Sequence, residues 1–439
     1  GDVGTGADLA LLRPLLAEPE EGPVIQALRA GKRLVDRGEV APSGEWRSEL
    51  LRLADDPRPG VRITALEAAG SWLLDPEIGA VLAARAVEGS RREQQVALLA
   101  LATAGDPRAL DLTRRAAASE DLQLRRRAAQ TAGLLGADEV LDELATDAHP
   151  AVRVAVLEAR LAGVGEAEEA SRGAELAALA LEDLAAPVRV TALGWLASHP
   201  EVPLGTLRRA LAATSGGDRV DLELGMVRAV EALVEAGTAE IDLAAEIFDA
   251  MARSPEFLVR REAARALGDL GVEAPAVGPA DNVRTLISYR EIVQRTRRDR
   301  FAELVTRHGS IRLRLACGEA PLTCLSFLQL ATQGFFDGLS FHRVVPDFVV
   351  QAGDPSGGGW GGPGYSLRDE VNRIEYEAGV LGMARGGPDT AGSQFFITLS
   401  SQPHLDGAYT AFGTVVDGWE VLHRIEQEDE IVTLREVGG

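Results

Sequence analysis

One short pattern recurs along the N-terminal part of the chain: Val-Arg or Leu-Arg followed by alanine-rich apolar positions. It is clearest in PGVRITALEAAG at 59–70, PAVRVAVLEARLAG at 150–163 and LVRREAARALGDLG at 258–271. Weaker copies at 92–107 and 219–233 lie in the two longest gaps between the clear copies. Together they give about seven units with a period of roughly 35 residues. The aligned arginines are Arg62, Arg125, Arg153, Arg189 and Arg260. A repeat of this length predicts a solenoid, in which each unit packs on its neighbours.

Each unit is predicted to be helical. Residues 1–270 are rich in Ala, Leu, Glu and Arg, which favour helices, and the apolar positions recur three and four residues apart. Proline, which is tolerated in the first helical turn, stands shortly before the Val-Arg pair at Pro59, Pro150 and Pro187. Glycine stands where a helix should end at Gly70, Gly133 and Gly268.

This pattern resembles HEAT repeats, in particular the short bacterial kind. The resemblance implies an all-α solenoid over residues 1–282, with an extended surface that binds a protein partner. Units this short are equally compatible with another α–α solenoid. Residues 271–282 read as a linker because of their proline, glycine and alanine content, and residues 283–300 as a helical connector.

The composition changes at residue 301, where glycine, aromatic and β-branched residues become frequent. A hairpin is predicted over 301–315 and two helices over 320–334 and 418–427. Short strands are predicted at 340–345, 348–352, 379–384, 394–399 and 411–415. Many short strands with glycine turns and two helices predict a closed antiparallel β-barrel.

A charged residue interrupts one of these apolar strands. The stretch FHRVVPDFVVQAGDP at 341–355 carries Arg343 and Gln351 among apolar residues. An arginine in a strand is most often a surface side chain that extends into solvent, so the strand pattern alone does not assign it a function.

Three further stretches accompany this one: GWGGPGYSLRDE at 359–370, GVLGMARGGPDTAGSQFFITL at 379–399 and PHLDGAYTAFGTV at 403–415. In order and spacing, the four motifs resemble a cyclophilin, a peptidyl-prolyl cis–trans isomerase, and especially its bacterial members. The resemblance covers residues 301–439 and makes Arg343 the catalytic residue. It implies that Gln351 holds this arginine and contacts substrate backbone. The other substrate-binding residues that it implies are Phe348, Val349, Ala384, Arg385, Gln394, Phe396, His404, Leu405 and Tyr409.

The chemistry of such an arginine can be stated from first principles. A peptide bond resists rotation by about 18–20 kcal/mol because the nitrogen lone pair is delocalised into the carbonyl. A guanidinium aimed at the proline nitrogen would stabilise that lone pair as it localises in the twisted amide. No metal or cofactor is needed for this reaction.

Two other interpretations stay open. In one, the C-terminal domain only binds proline-containing segments, as a non-catalytic adaptor; retention of Arg343, Phe348, Gln351 and Phe396 argues against it. In the other, the solenoid carries the main function and the isomerase is incidental.

Charge and cysteine content restrict partners and chemistry. The net charge of −22 argues against nucleic acid as the main partner, and no apolar run of about 18 residues indicates a membrane span. The two cysteines, Cys317 and Cys324, are predicted to be free thiols. The sequence starts with glycine, which indicates a missing upstream segment, so the compartment stays open between bacterial cytoplasm and periplasm.

Overall fold

The structure has two compact units, and one of them combines the N-terminal and the C-terminal segments of the chain. The computed structural model describes residues 6–37, 44–72, 75–162, 166–199, 219–238, 240–277, 286–355, 357, 359, 361–427 and 429–438. The described residues of Gly1–Leu112 and Leu286–Gly439 form one compact unit, and those of Thr113–Thr285 form the other. In these ranges, no helix is both long and apolar enough to cross a membrane. Part of the predicted linker and connector, 278–285, lies outside the described residues.

The N-terminal region is helical, as its composition predicts. The first helices are α1 (Gly6–Leu12), α2 (Glu21–Asp36), α3 (Gly44–Leu53), α4 (Pro59–Ala69), α5 (Pro76–Glu88), α6 (Arg91–Thr103) and α7 (Ala109–Ala117). Helix α4 packs against both α2 and α6. Its Val61 and Leu66 are fully buried, together with Val24 and Leu28 of α2.

The second unit has the same pattern of stacked helices. It contains α8 (Leu122–Leu135), α9 (Asp138–Leu144), α10 (Pro150–Ala162), α11 (Glu166–Ala180), α12 (Ala186–Ser198), α13 (Arg219–Glu235), α14 (Ile241–Met251) and α15 (Phe257–Asp269). Helix α10 packs on α8 and α12, and α13 packs on α12 and α15. Leu193, Val227, Phe248 and Leu267 belong to the shared core of this unit.

Two predicted helix ends are wrong. Gly133 and Gly268 lie inside α8 and α15, and the left-handed glycines that follow these helices are Gly136 and Gly271, with φ of 63° and 74°. Gly133 serves close packing instead, because a Cβ atom there would lie 2.9 Å from the Cβ atom of Ala159 in α10.

The recurring arginine makes the same contacts in several units. Nη1 of Arg153 donates to the carbonyl oxygens of Asp147 and Ala148, at 2.8 and 3.2 Å, and Nε and Nη2 both donate to the Asp183 carboxylate at 2.8 Å. Nη1 also donates to the carbonyl oxygens six and five residues before the arginine in three other copies of the repeat, at Arg62, Arg125 and Arg260. Each of these arginines therefore holds the turn that precedes its own helix.

Replacing Arg153 by alanine is expected to destabilise the second unit by about 2–4 kcal/mol, because the turn carbonyls and Asp183 lose their donor. Burial alone would raise the pKa of Asp183, but hydrogen bonds from Arg153 and from the Ala185 N–H outweigh it, so the pKa lies below its ordinary value of 3.8. The stabilisation is thus present above pH 3.8 and is lost as the pH falls through the lowered folded-state value.

Thermal unfolding of the intact chain at pH 7 and below pH 3.8 measures this difference. Arg172→Ala is the matched control, since Arg172 is an exposed arginine of α11. An equal loss in both variants, or a loss that does not shrink in acid, would contradict the role given to the Arg153–Asp183 pair.

The C-terminal region of the first unit is a curled antiparallel sheet with helices against it. Helix α16 (Leu286–Arg295) leads into this region. The strands are β1 (Arg300–Thr306), β2 (Gly309–Leu315), β3 (Arg343–Val345), β4 (Val349–Ala352), β5 (Val380–Met383), β6 (Phe395–Thr398), β7 (Ala411–Asp417) and β8 (Ile431–Val437). The helices α17 (Pro321–Thr332) and α18 (Trp419–Leu422) accompany them, and α17 places Phe327 in the core of the sheet.

The expected closed barrel is a half-barrel. The strand order is β3-β4-β6-β5-β7-β2-β1-β8, so β3 and β8 stand at opposite ends and do not pair with each other. The segment before β3 makes one isolated β-bridge, Ser340 with Glu430, and the Ile431 N–H donates to the Leu339 carbonyl oxygen at 2.8 Å. Strand β3 has only three residues and ends just before Pro346, which lacks the N–H that a further ladder hydrogen bond would need.

The prediction of free thiols is also wrong. Cys317, which follows β2, and Cys324, near the start of α17, form a disulfide in the buried core. The chain folds back between them, so that their Cα atoms lie 5.2 Å apart, within the range that a disulfide spans.

Candidate active site

The hairpin of β3 and β4 places a cation over an aromatic ring. The antiparallel register sets Arg343 directly opposite Gln351, and Nη1 of Arg343 donates to Oε1 of Gln351 at 3.4 Å. The hairpin turn carries Phe348, whose ring centroid lies 5.4 Å from the guanidinium carbon. This geometry is that of a cation–π contact between Arg343 and Phe348.

Burial and two neighbouring side chains affect the pKa of Arg343, which lies below its ordinary value. Partial burial lowers the pKa of its guanidinium, the Tyr409 hydroxyl raises it, and the positive charge of Arg92 lowers it again. The side chain remains exposed to solvent, and an arginine keeps its proton at physiological pH. The site therefore holds a permanent positive charge.

An apolar cluster lies beside this cation, separate from the main core of the sheet. Val349, Phe396 and Leu405 are its buried members among the predicted site residues, and Phe348, Ala384 and Tyr409 are half-buried around them. The edge of Phe396 meets Tyr409 with ring centroids 5.9 Å apart. Phe348 stacks on His404, with centroids 5.7 Å apart. These side chains form one apolar cluster next to the guanidinium, the proposed apolar socket of the site.

A chain of hydrogen-bonded side-chain amides starts at Arg343 and runs through Gln351 to Gln394. Nε2 of Gln351 donates to Oε1 of Gln394 at 3.1 Å. Nε2 of Gln394 in turn donates to the carbonyl oxygens of Gly359 and Gly361, at 3.0 and 2.9 Å. Each amide is thus held in one orientation, which fixes the acceptor that Gln351 offers to Arg343.

Arg385 supports the site through its side chain. Its guanidinium lies over the Tyr409 ring, 5.3 Å from the centroid, and donates to the Ala408 carbonyl at 2.7 Å. It also pairs with Asp369 at 2.9 Å. The side chain of Arg385 thus holds the segment that carries Tyr409.

Two residues that lie against Phe396 were not predicted from the sequence to belong to the site. Tyr376 is buried and stacks on Phe396, with centroids 5.7 Å apart; burial, together with Asp406 and Tyr409, raises the pKa of its hydroxyl. A Cβ atom at Gly382 in β5 would lie 2.2 Å from Cζ of Phe396. A lone glycine inside a strand is a sign of such close approach, but nothing around Tyr376 marks it in the sequence.

Comparison with known proteins gives one consistent family. The family model described as cyclophilin type peptidyl-prolyl cis-trans isomerase/CLD matches residues 301–436. A peptidyl-prolyl cis-trans isomerase of Synechococcus elongatus is 45% identical over 136 residues, which cover 30% of this chain and 94% of that protein. Peptidyl-prolyl cis-trans isomerase B of Bacillus subtilis is 49% identical over 121 residues, which cover 27% of this chain and 85% of that protein.

One solved structure is also similar to part of the chain. The crystal structure of a cyclophilin type peptidyl-prolyl cis-trans isomerase of Cryptosporidium parvum, in the presence of the dipeptide Ala-Pro, is 33% identical. It covers 32% of this chain and 99% of its own, with a TM-score of 0.30. The family model leaves residues 1–300 outside its matched range.

Proposed function

Because this chain belongs to the cyclophilin-type peptidyl-prolyl cis-trans isomerase family, we propose that Arg343 and the apolar socket beside it catalyse rotation about X–Pro bonds. The enzyme class follows from the family, whereas the roles of single residues are our proposal. The observation that carries it is the guanidinium of Arg343 standing 5.4 Å from the Phe348 centroid, next to the cluster that contains Val349, Phe396 and Leu405.

In this mechanism, the proline ring of the substrate enters the apolar socket and the guanidinium meets the proline nitrogen. Rotation about the amide costs about 18–20 kcal/mol because it breaks the conjugation of the nitrogen lone pair. As the amide twists, the lone pair localises and accepts a hydrogen bond from Arg343. That bond is stronger in the transition state than in either planar form, which is the condition for catalysis. No covalent bond forms or breaks.

The remaining residues hold substrate and cation in place. Gln351 keeps the guanidinium of Arg343 directed toward the socket and offers its amide to substrate backbone. Ala384, Arg385 and Gln394 line the groove beside the socket, where a peptide chain would lie. His404 and Tyr409 extend the aromatic wall around Phe348 and Phe396. The substrates are therefore proline-containing peptides or proteins.

Exchange spectroscopy on a short X–Pro peptide tests this function on the intact chain. Catalysed exchange between cis and trans signals, lost in Arg343→Ala, supports the enzyme. Binding of the peptide without any exchange would instead favour the adaptor, a protein that only binds proline-containing segments.

We further propose that the helical region is a HEAT-like solenoid over residues 1–282, joined by a connector at 283–300 to the isomerase domain at 301–439. The repeated contacts of Arg62, Arg125, Arg153 and Arg260 support a common repeat unit. A stack of such units offers an extended surface, which could bring client chains to the isomerase and raise their local concentration.

Hydrogen–deuterium exchange of the intact chain, with and without an unfolded proline-containing client, tests the scaffold. Protection is expected on helices between residues 122 and 269 as well as on the hairpin at 343–351. Protection confined to the hairpin would contradict a scaffold role for the helices, while leaving the isomerase intact.

A further inference from the structure

Helix α2 contacts the turn that connects the two strands of the active-site hairpin. Nε2 of Gln26 donates to Oδ2 of Asp347. Nη2 of Arg29 donates to the carbonyl oxygen of Pro346 at 2.5 Å, and its Nη1 lies 3.9 Å from Oδ2 of Asp347. Both side chains of the helix therefore reach the two residues that immediately precede Phe348.

This turn is unusual in its backbone. Asp347 has φ of 54°, a left-handed conformation that non-glycine residues seldom adopt. On the side of the sheet, the Asp347 carbonyl accepts hydrogen bonds from Oγ of Ser400 at 2.7 Å and from Nε2 of Gln402 at 3.1 Å. The turn is thus held from two directions. The segment after β6 binds the Asp347 carbonyl, and α2 binds the Asp347 carboxylate and the Pro346 carbonyl.

A second set of contacts joins the helices to the segment after α18. Nη2 of Arg62 lies 3.4 Å from Glu426, and Nη1 of Arg92 donates to Oε1 of Gln427 at 3.3 Å. Between the two sets of contacts lies a cavity of about 300 Å³. Its apolar lining includes Ile25, Ile63, Val344, Leu399 and Ile425. The polar contacts on either side of this cavity join the helices to the hairpin turn and to the segment after α18.

The hairpin itself is short. Strand β3 pairs with β4 over only three residues, Arg343 to Val345, and β3 is the end strand of the sheet. A small movement of the turn would therefore displace Phe348 and change the distance between the guanidinium and the socket. Misplacement by about 1 Å is enough to reduce catalysis strongly.

We propose that α2 is part of the isomerase site, and that Arg29 and Gln26 are positioning residues that hold the Pro346–Asp347 turn. They act on the reaction through Phe348 and Arg343 and do not themselves touch substrate. The inference rests on the proposed role of Arg343. It makes the N-terminal helices a condition for full activity of the C-terminal domain.

The test compares variants of the full chain in an assay of X–Pro isomerisation. Arg29→Ala is expected to lower kcat/KM about fivefold, mainly through kcat, because the hydrogen bond that it loses orients the transition-state donor. Arg29→Lys keeps a charged donor and should restore most of the loss. The matched control is Arg33→Ala, an exposed arginine on the same helix, which should behave like the parent protein.

Two further measurements separate positioning from general destabilisation. Hydrogen–deuterium exchange should accelerate in the hairpin at 343–351 in Arg29→Ala and not in Arg33→Ala. Asp347→Asn keeps a residue that tolerates left-handed φ but removes the negative charge. Its effect on kcat should be less than additive with that of Arg29→Ala if both act through the turn.

The outcomes distinguish this inference from the proposed function. If Arg343→Ala loses activity while Arg29→Ala keeps the kcat of the parent, α2 does not position the site and the inference fails alone. An equal loss in Arg33→Ala would also overturn it, because the effect would then belong to the whole helix. If Arg343→Ala itself remains fully active, the proposed function fails.

Discussion

Arg343→Ala is expected to lower kcat/KM for an X–Pro peptide by about 10²–10³-fold, the usual cost of removing one donor that stabilises developing charge. The twisted amide then has no partner for its localised lone pair. Arg343→Lys keeps the positive charge but loses the planar set of donors, so it should retain only part of the activity. A kinetic assay that monitors the trans form of the peptide measures both variants.

The same substitution should leave folding and ground-state binding nearly unchanged. Arg343 is exposed, and its hydrogen bond to Gln351 is long, at 3.4 Å, so little of the folded state depends on it. Thermal unfolding should therefore match the parent protein, and peptide affinity should change much less than the rate. Activity within twofold of the parent protein would remove Arg343 from the mechanism.

Gly382→Ala is expected to close the socket from beneath. A Cβ atom at this position would lie 2.2 Å from Cζ of Phe396 and 2.6 Å from the hydroxyl oxygen of Tyr376, so the Phe396 ring must move. Phe396 is a buried member of the apolar cluster proposed as the socket, so a shift of its ring changes the shape of that socket. One methylene too many in an apolar pocket lowers kcat/KM by about 10- to 200-fold, and we expect a loss in that range.

A matched glycine and a second variant make this prediction specific. At Gly386 the nearest atom to an added Cβ is Oγ1 of Thr390 at 4.0 Å, so Gly386→Ala should be close to neutral. Tyr376→Phe removes one of the three atoms that would clash with the added Cβ, and it should recover part of the loss when combined with Gly382→Ala. If Gly382→Ala and Gly386→Ala have equal activity, Phe396 does not form the socket wall.

The parts of the site that lie close together in sequence could be predicted. Arg343 and Gln351 are eight positions apart, and a hairpin between them brings the two side chains face to face. The strand assignments at 348–352, 379–384 and 394–399 agree with β4, β5 and β6 within one residue at each end. Alternating apolar residues and glycine turns identify such strands because the signal is local.

The parts that depend on distant contacts could not be predicted. Strand β8 was not predicted, since only Ile431 and Leu434 of its seven residues are fully buried, which leaves a weak alternating pattern. The half-barrel follows from which strands pair, and periodicity does not determine pairing. The contact of Arg29 with Pro346 joins residues 317 positions apart, and no pattern in either segment indicates the other.

The most direct test of the central claim measures the exchange rate of a bound X–Pro peptide at saturation, in the intact protein and in Arg343→Ala. Catalysis by the guanidinium predicts fast cis–trans exchange on the parent protein and near-uncatalysed exchange on the variant, with peptide affinities within a few-fold of each other. Equal exchange on both proteins at equal occupancy would contradict the claim.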